Sequence, residues 1–134
     1  MARAKPPTEP DFERAAALRE ALRRFQRRTD DVTATHDITA RAYQLLLMIK
    51  TARGGNGLAS LAELEDRLQL GKSTVTELVL RSEKRGFVRR DLDRNRPGAI
   101  TVALTPAGER RLERVTAELG DERRRLVEIL SKLR

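Results

Sequence analysis

The feature that most constrains this chain is a break between two short apolar stripes, followed at once by two β-prone runs. It spans residues 60–105, SLAELEDRLQLGKSTVTELVLRSEKRGFVRRDLDRNRPGAITVALT. Leu61, Leu64 and Leu68 recur at the three- and four-residue steps of one helix face, and Val75, Leu78 and Val79 repeat the pattern after the break. Ser60 followed by Glu63 predicts a capping box, with the serine oxygen accepting from the Glu63 amide and the glutamate reaching back to the serine amide. Leu70-Gly71 is expected to break the first helix, the second is expected over 72–85, and Gly86 should stop it. Residues 87–91 (FVRRD) and 99–104 (AITVAL) then read as hairpin strands, separated by a tip holding Arg94, Asn95, Arg96, Pro97 and Gly98. Leu58-Ala59 is expected to add a brief strand to that hairpin.

The flanking segments read as support for this unit. Residues 1–10 hold a Pro-Pro pair and few apolar groups, so a flexible basic arm is expected, in which Arg3 and Lys5 could reach a groove. Over 11–28, Ala15, Leu18, Leu22 and Phe25 mark an amphipathic helix, with 29–37 read as its end plus a connection. Thr39 should cap the next helix. Its run Ala42, Tyr43, Leu45, Leu46, Leu47, Met48, Ile49 is apolar nearly all round, which predicts the central core helix, ending before Gly54-Gly55-Asn56-Gly57. Thr105-Pro106 should open the last helix. The stripe Leu112, Val115, Leu119, Leu126, Leu130 and Leu133 keeps its phase across Gly120, so one long helix bent there is expected. Stripes at both ends exceed what so small a core can cover, which predicts a homodimer.

The fold class expected is therefore mainly α with a small β-hairpin wing (α+β), a winged helix-turn-helix with N- and C-terminal dimerisation helices. Its divisions are a 1–10 arm and one domain over 11–134, in which 38–105 form the winged-helix lobe and 11–37 with 106–134 the dimerisation helices and connection.

Composition narrows the function. The 134 residues carry 28 Lys and Arg against 20 Asp and Glu, a net charge of +8 that favours a polyanionic partner. With no cysteine, disulfides, cysteine zinc sites and thiol chemistry are excluded. No apolar run reaches membrane-span length and the N-terminal stretch is not a secretory signal, so a cytoplasmic protein with no membrane partner is expected. Three Phe, one Tyr and no Trp leave little for stacking unpaired bases. His36 is the one histidine, and without a second ligand it receives neither a catalytic nor a metal role. No nucleophile–base pair, Gly-rich phosphate loop or set of convergent carboxylates occurs, so neither an enzyme nor a cofactor is expected.

The helix over 72–85 carries the chemistry. Lys72, Ser73, Thr74, Thr76, Glu77 and Arg81 lie off its apolar stripe, with small hydroxyls and a cation near the N-terminal end. There, free amides can meet phosphate and short side chains allow close approach to base edges. Arg94 and Arg96 at the hairpin tip suit a narrow minor groove, where negative potential is strongest. A merely solvated charged face is the competing reading for both elements, and position directly after a capped helix and a turn favours DNA.

Taken as a set, these segments resemble the MarR family of winged-helix transcriptional regulators. The likeness rests on Leu61-Ala62-Glu63-Leu64 through Leu70, Ser73-Thr74-Val75-Thr76 with Glu83-Lys84-Arg85-Gly86-Phe87-Val88-Arg89-Arg90, and Leu104-Thr105-Pro106-Ala107-Gly108. Leu18-Arg19 to Arg28 and Tyr43-Gln44-Leu45-Leu46-Leu47 resemble the family's first two helices. The resemblance implies a homodimer on double-stranded DNA at a pseudo-palindromic operator, commonly a repressor released by a small anionic or aromatic ligand whose site residues are unknown here. It matches Ser73, Thr74, Thr76 and Arg81 to recognition-helix positions and puts Arg94 and Arg96 in the wing.

Four departures stand out. Arg96-Pro97-Gly98 replaces the usual wing tip, Ser82 stands where leucine is usual, Leu80 where a polar residue is commoner, and Glu77 where many members have arginine. The alternative class is a winged-helix module that binds protein and uses its charge for solubility.

Overall fold

In the computed structural model, which describes residues 3–134, the chain forms six helices and a three-stranded sheet. Met1 and Ala2, the start of the expected arm, lie outside the described residues, and residues 3–8 are exposed and irregular. Helix α1 (Glu9–Thr35) extends past its predicted bounds at both ends. At its start the Thr8 amide and hydroxyl donate to Asp11 Oδ2 at 2.8 and 3.0 Å, and Pro10 sits in the first turn, where its missing N–H leaves no bond unmade. Those bonds hold the Asp11 carboxyl below the ordinary aspartate range.

The 29–37 segment, expected to contain the connection, is helical through Thr35. Thr29 and Thr33 donate their hydroxyls to the carbonyls of Phe25 (2.9 Å) and Thr29 (2.8 Å), which lets both side chains be buried inside a helix. The chain turns at Asp37, whose φ is +54°.

Helix α2 (Ala40–Lys50) is the core helix foreseen: Thr39 Oγ1 accepts from the Ala42 amide at 3.0 Å, and Tyr43, Leu45, Leu46 and Ile49 are buried. It packs against α1 and the elements that follow: α3 (Leu61–Leu68), α4 (Lys72–Lys84), β3 (Ile100–Leu104) and α5 (Pro106–Glu118). Strands β1 (Ala59–Ser60) and β2 (Val88–Leu92) flank β3 in the order β1-β3-β2, with Ala59 opposite Val102, and Val88 opposite Leu104. The extra strand thus starts one residue later than expected.

Two local expectations change. Ser60 Oγ accepts from the Glu63 amide at 3.1 Å, but Glu63 does not reach back; its carboxylate takes the Arg53 amide at 3.0 Å and the Arg67 guanidinium at 3.2 Å. The fold brings the Arg53 amide and the Arg67 guanidinium to this carboxylate, and they take the place of the Ser60 amide. The break between α3 and α4 is made by Gln69, at φ +55°, and not by Gly71, which sits at φ −69° as the extended residue opening α4. Gly86, at φ +80°, does end α4, with the Phe87 amide returning to the Ser82 carbonyl at 2.9 Å.

Thr105 Oγ1 accepts from the Gly108 amide at 3.1 Å and donates to the Gly86 carbonyl at 2.5 Å, fixing the start of α5 against the end of α4. The foreseen bend falls at Leu119, one residue before Gly120: α5 closes there at φ −86° and ψ 3°, the Leu119 and Arg123 amides keep their bonds to the Val115 and Leu119 carbonyls at 3.0 Å, and α6 (Gly120–Ser131) packs against α1, where Arg28 Nε meets Glu122 at 3.2 Å. The architecture is the mainly helical winged helix expected, flanked by terminal helices. No helix among the described residues is long and apolar enough to cross a membrane.

Candidate nucleic-acid interface

Helix α4 buries Val75, Val79 and Ser82, and this sets what it presents outward. Lys72, Ser73, Glu77 and Arg81 are exposed, and Thr74 and Thr76 are half-buried. Gly71 at the N-cap offers no side chain to the first-turn amides, which leaves them open to an anion. Arg81 is not a free cation: its Nη2 donates to Glu77 Oε1 at 2.6 Å, one turn back. Thr74, Glu77, Leu78 and Arg81 face Thr39 and Arg41 at the start of α2 across a shallow cleft. Arg41 was not foreseen at this place, because Thr39 marks it only as a first-turn residue of a core helix.

The other end of α4 is braced. Glu83 accepts from Arg90 Nε at 3.1 Å through both carboxylate oxygens, joining the helix to β2, and the neighbouring guanidinium holds the Glu83 carboxyl below its ordinary range. The guanidiniums of Arg85 and Arg111 each lie over the Phe87 ring, 4.9 and 5.0 Å from its centroid. Arg85 also pairs with Asp37 at 2.9 Å, and Arg111 donates to the His36 and Asp37 carbonyls. The C-terminal end of α4 is therefore tied to the α1–α2 turn and to α5, while the outer side of its first two turns faces solvent.

At the hairpin tip the Asp93 amide donates to the Ala99 carbonyl at 2.9 Å, and the Asn95 amide donates to Asp93 Oδ1 at 2.9 Å. This turn sets Arg94 and Arg96 on either side of Asn95, both exposed, and among the described residues neither enters an ion pair. The residues singled out from the sequence thus fall into two groups: Lys72, Ser73, Thr74, Thr76, Glu77 and Arg81 on the outer side of α4, and Arg94 and Arg96 on the tip.

His36 Nε2 meets Glu118 Oε2 at 2.7 Å and the Tyr43 hydroxyl meets Thr116 Oγ1 at 3.2 Å, so both residues face α5. Among the described residues, no cluster of His, Cys, Asp or Glu could hold a metal ion.

Residues 36–96 match the model of the MarR family. The chain is 29% identical over 138 residues to the HTH-type transcriptional regulator TtmR of Methylorubrum extorquens (strain PA1), covering 96% of this chain and 69% of that protein. AbsC, a MarR family transcriptional regulator from Streptomyces coelicolor, shares the fold at TM-score 0.80 and 17% identity, over 95% of this chain and 84% of AbsC. A mutant of MarR from E. coli complexed with operator DNA does so at TM-score 0.72 and 22% identity, over 85% of this chain and 79% of that one.

Proposed function

We propose that this chain, whose residues 36–96 match the model of the MarR family, is a DNA-binding transcriptional regulator of that family and not an enzyme, a sequence-specific repressor acting as a homodimer on a pseudo-palindromic operator. In this reading residues 38–105 are the DNA-binding lobe, and 11–37 with 106–134 are the dimerisation helices. Lys72, Ser73, Thr74, Thr76, Glu77 and Arg81 face the major groove, and Arg94 and Arg96 the flanking minor groove. The observation that carries it is the unequal bracing of α4: fixed by Arg90, Phe87 and Arg111 at one end, and open at the other with uncapped amides and small hydroxyls. That arrangement suits insertion of a helix N-terminus into a groove.

The dimer is supported by apolar side chains that a single chain leaves in water: Phe12, Leu18 and Leu22 on α1, and Val127, Ile129 and Leu130 on α6. A small anionic or aromatic ligand, its site unassigned, is the release signal in this reading. Thermal-shift measurements against aromatic acids test it, and no stabilisation by any of them removes it.

Selection of DNA from a random pool, followed by salt-dependent anisotropy on the selected site, tests the whole. The expected outcome is inverted half-sites about 10 bp apart and an affinity that falls steeply with salt. A flat salt response, with early elution from heparin, favours the protein-interaction module instead.

A further inference from the structure

Over one turn of α4 the apolar pattern is inverted. Ser82 lies inside at 2% exposure, while Leu80 stands outside at 44%. Exchanging the two would put apolar surface in the core and a hydroxyl in water, the cheaper arrangement on both counts. Leu80 follows Glu77 by three positions and adjoins Arg81, so the three share the outer side of the helix. Glu77 and Arg81 side chains are 62% and 76% exposed, and within this chain their 2.6 Å bond is to each other.

Resting on the DNA-binding reading of α4, we propose that Glu77 and Arg81 read one G·C base pair as a unit and that Leu80 takes the thymine methyl of a neighbouring pair. A carboxylate on a helix approaching phosphates is repelled unless the groove offers it a donor. In the major groove the G·C edge presents two adjacent acceptors, guanine N7 and O6, beside one donor, the cytosine amino group. The bonded pair presents the complementary row, with guanidinium donors beside a carboxylate acceptor. An A·T pair interleaves its donor between acceptors and so mismatches that row. It does carry the C5 methyl, the apolar group against which an exposed leucine can pack.

The test selects DNA from a random pool with the wild type, Leu80→Ala and Glu77→Gln, then titrates the wild-type site with single thymines replaced by deoxyuridine. We expect a half-site holding a G·C pair next to a thymine. Loss of that methyl should weaken the wild type about fourfold and leave Leu80→Ala unaffected. Substitution of the G·C pair should cost the wild type roughly five- to a hundredfold; Glu77→Gln should lose most of that discrimination while keeping the response to the methyl. Both side chains are exposed, and deoxyuridine leaves the protein unaltered, so misfolding cannot imitate the result. A selected site in which no thymine responds, or variants that discriminate as the wild type does, overturns the inference and leaves the DNA-binding reading standing. A wild type that selects no sequence overturns both.

Discussion

Gly108 packs directly beneath the Phe87 carbonyl: a Cβ at position 108 would stand 2.1 Å from that oxygen and 3.3 Å from Phe87 Cα. The same oxygen accepts from the Thr105 amide at 3.0 Å, so it is backbone held from both sides and cannot swing away. Gly108→Ala must therefore push α5 off the entry to the wing. The expected loss is about 1–3 kcal/mol, the range for inserting a methyl into packed structure, read as a lower thermal midpoint. An unchanged midpoint contradicts this packing.

Arg67 ties two helices with one side chain. It donates to the carbonyls of Met48 (2.9 Å) and Thr51 (3.0 Å), to Thr51 Oγ1 (2.9 Å) and to Glu63 (3.2 Å), closing the C-terminus of α2 from α3. Its removal leaves the last carbonyls of α2 without this donor and the mostly buried Glu63 carboxylate without its cation. We expect Arg67→Ala to cost about 2–3 kcal/mol in urea denaturation. Arg67→Lys should recover only part, since a single ammonium cannot serve the forked set of acceptors. Full recovery by lysine would show that charge alone matters here.

What the sequence made legible was what its neighbours within a turn decide. The hydroxyl caps at Thr39, Ser60 and Thr105 and the stop at Gly86 act over two to five residues, so their residue types could be read directly. The outward set on α4 followed from period alone. The misses have two other causes: residue types that mislead within a turn, and partners that only packing supplies. Thr29 and Thr33 look like connection residues until their hydroxyls find carbonyls within their own helix. Gln69 takes the left-handed position that reasoning from residue type gives to Gly71. Glu63 leaves its predicted partner because the fold brings up Arg53 and Arg67. Arg41 reaches the cleft beside Arg81 only through packing of α2 on α4, and no local signal marks it.

The strut between Glu83 and Arg90 gives a pH prediction with a definite sign. Its folded carboxyl pKa is depressed by the Arg90 guanidinium, so the contribution is fully present above the ordinary glutamate value of about 4.3. It is lost as pH falls through the lower folded value. Between pH 5 and 8 it should not vary, and both groups are solvent-screened, so the effect on global stability is small. Carboxyl chemical shifts followed by NMR should show Glu83 titrating below free glutamate, and Arg90→Ala should bring it back. A Glu83 that titrates normally in the wild type removes the strut from solution.

The wing and the recognition helix should fail in different ways. Arg94 and Arg96 stand free at the tip, positioned by the Asp93–Asn95 turn but making no ion pair within the described residues, so nothing in the protein competes with phosphate or a narrow groove for them. Arg94→Ala and Arg96→Ala should each weaken binding to selected and random DNA alike. For every phosphate left unneutralised, the slope of log affinity against log salt should become shallower by about 0.9. Thr76, half-buried on α4, carries no charge to set against a phosphate. Thr76→Ala should leave the salt slope alone and change the ratio of selected to random affinity. Anisotropy titrations at several salt concentrations separate the two. An equal loss on both DNAs for Thr76→Ala would remove it from base reading, and an unaltered salt slope for both arginine variants would take the tip off the DNA.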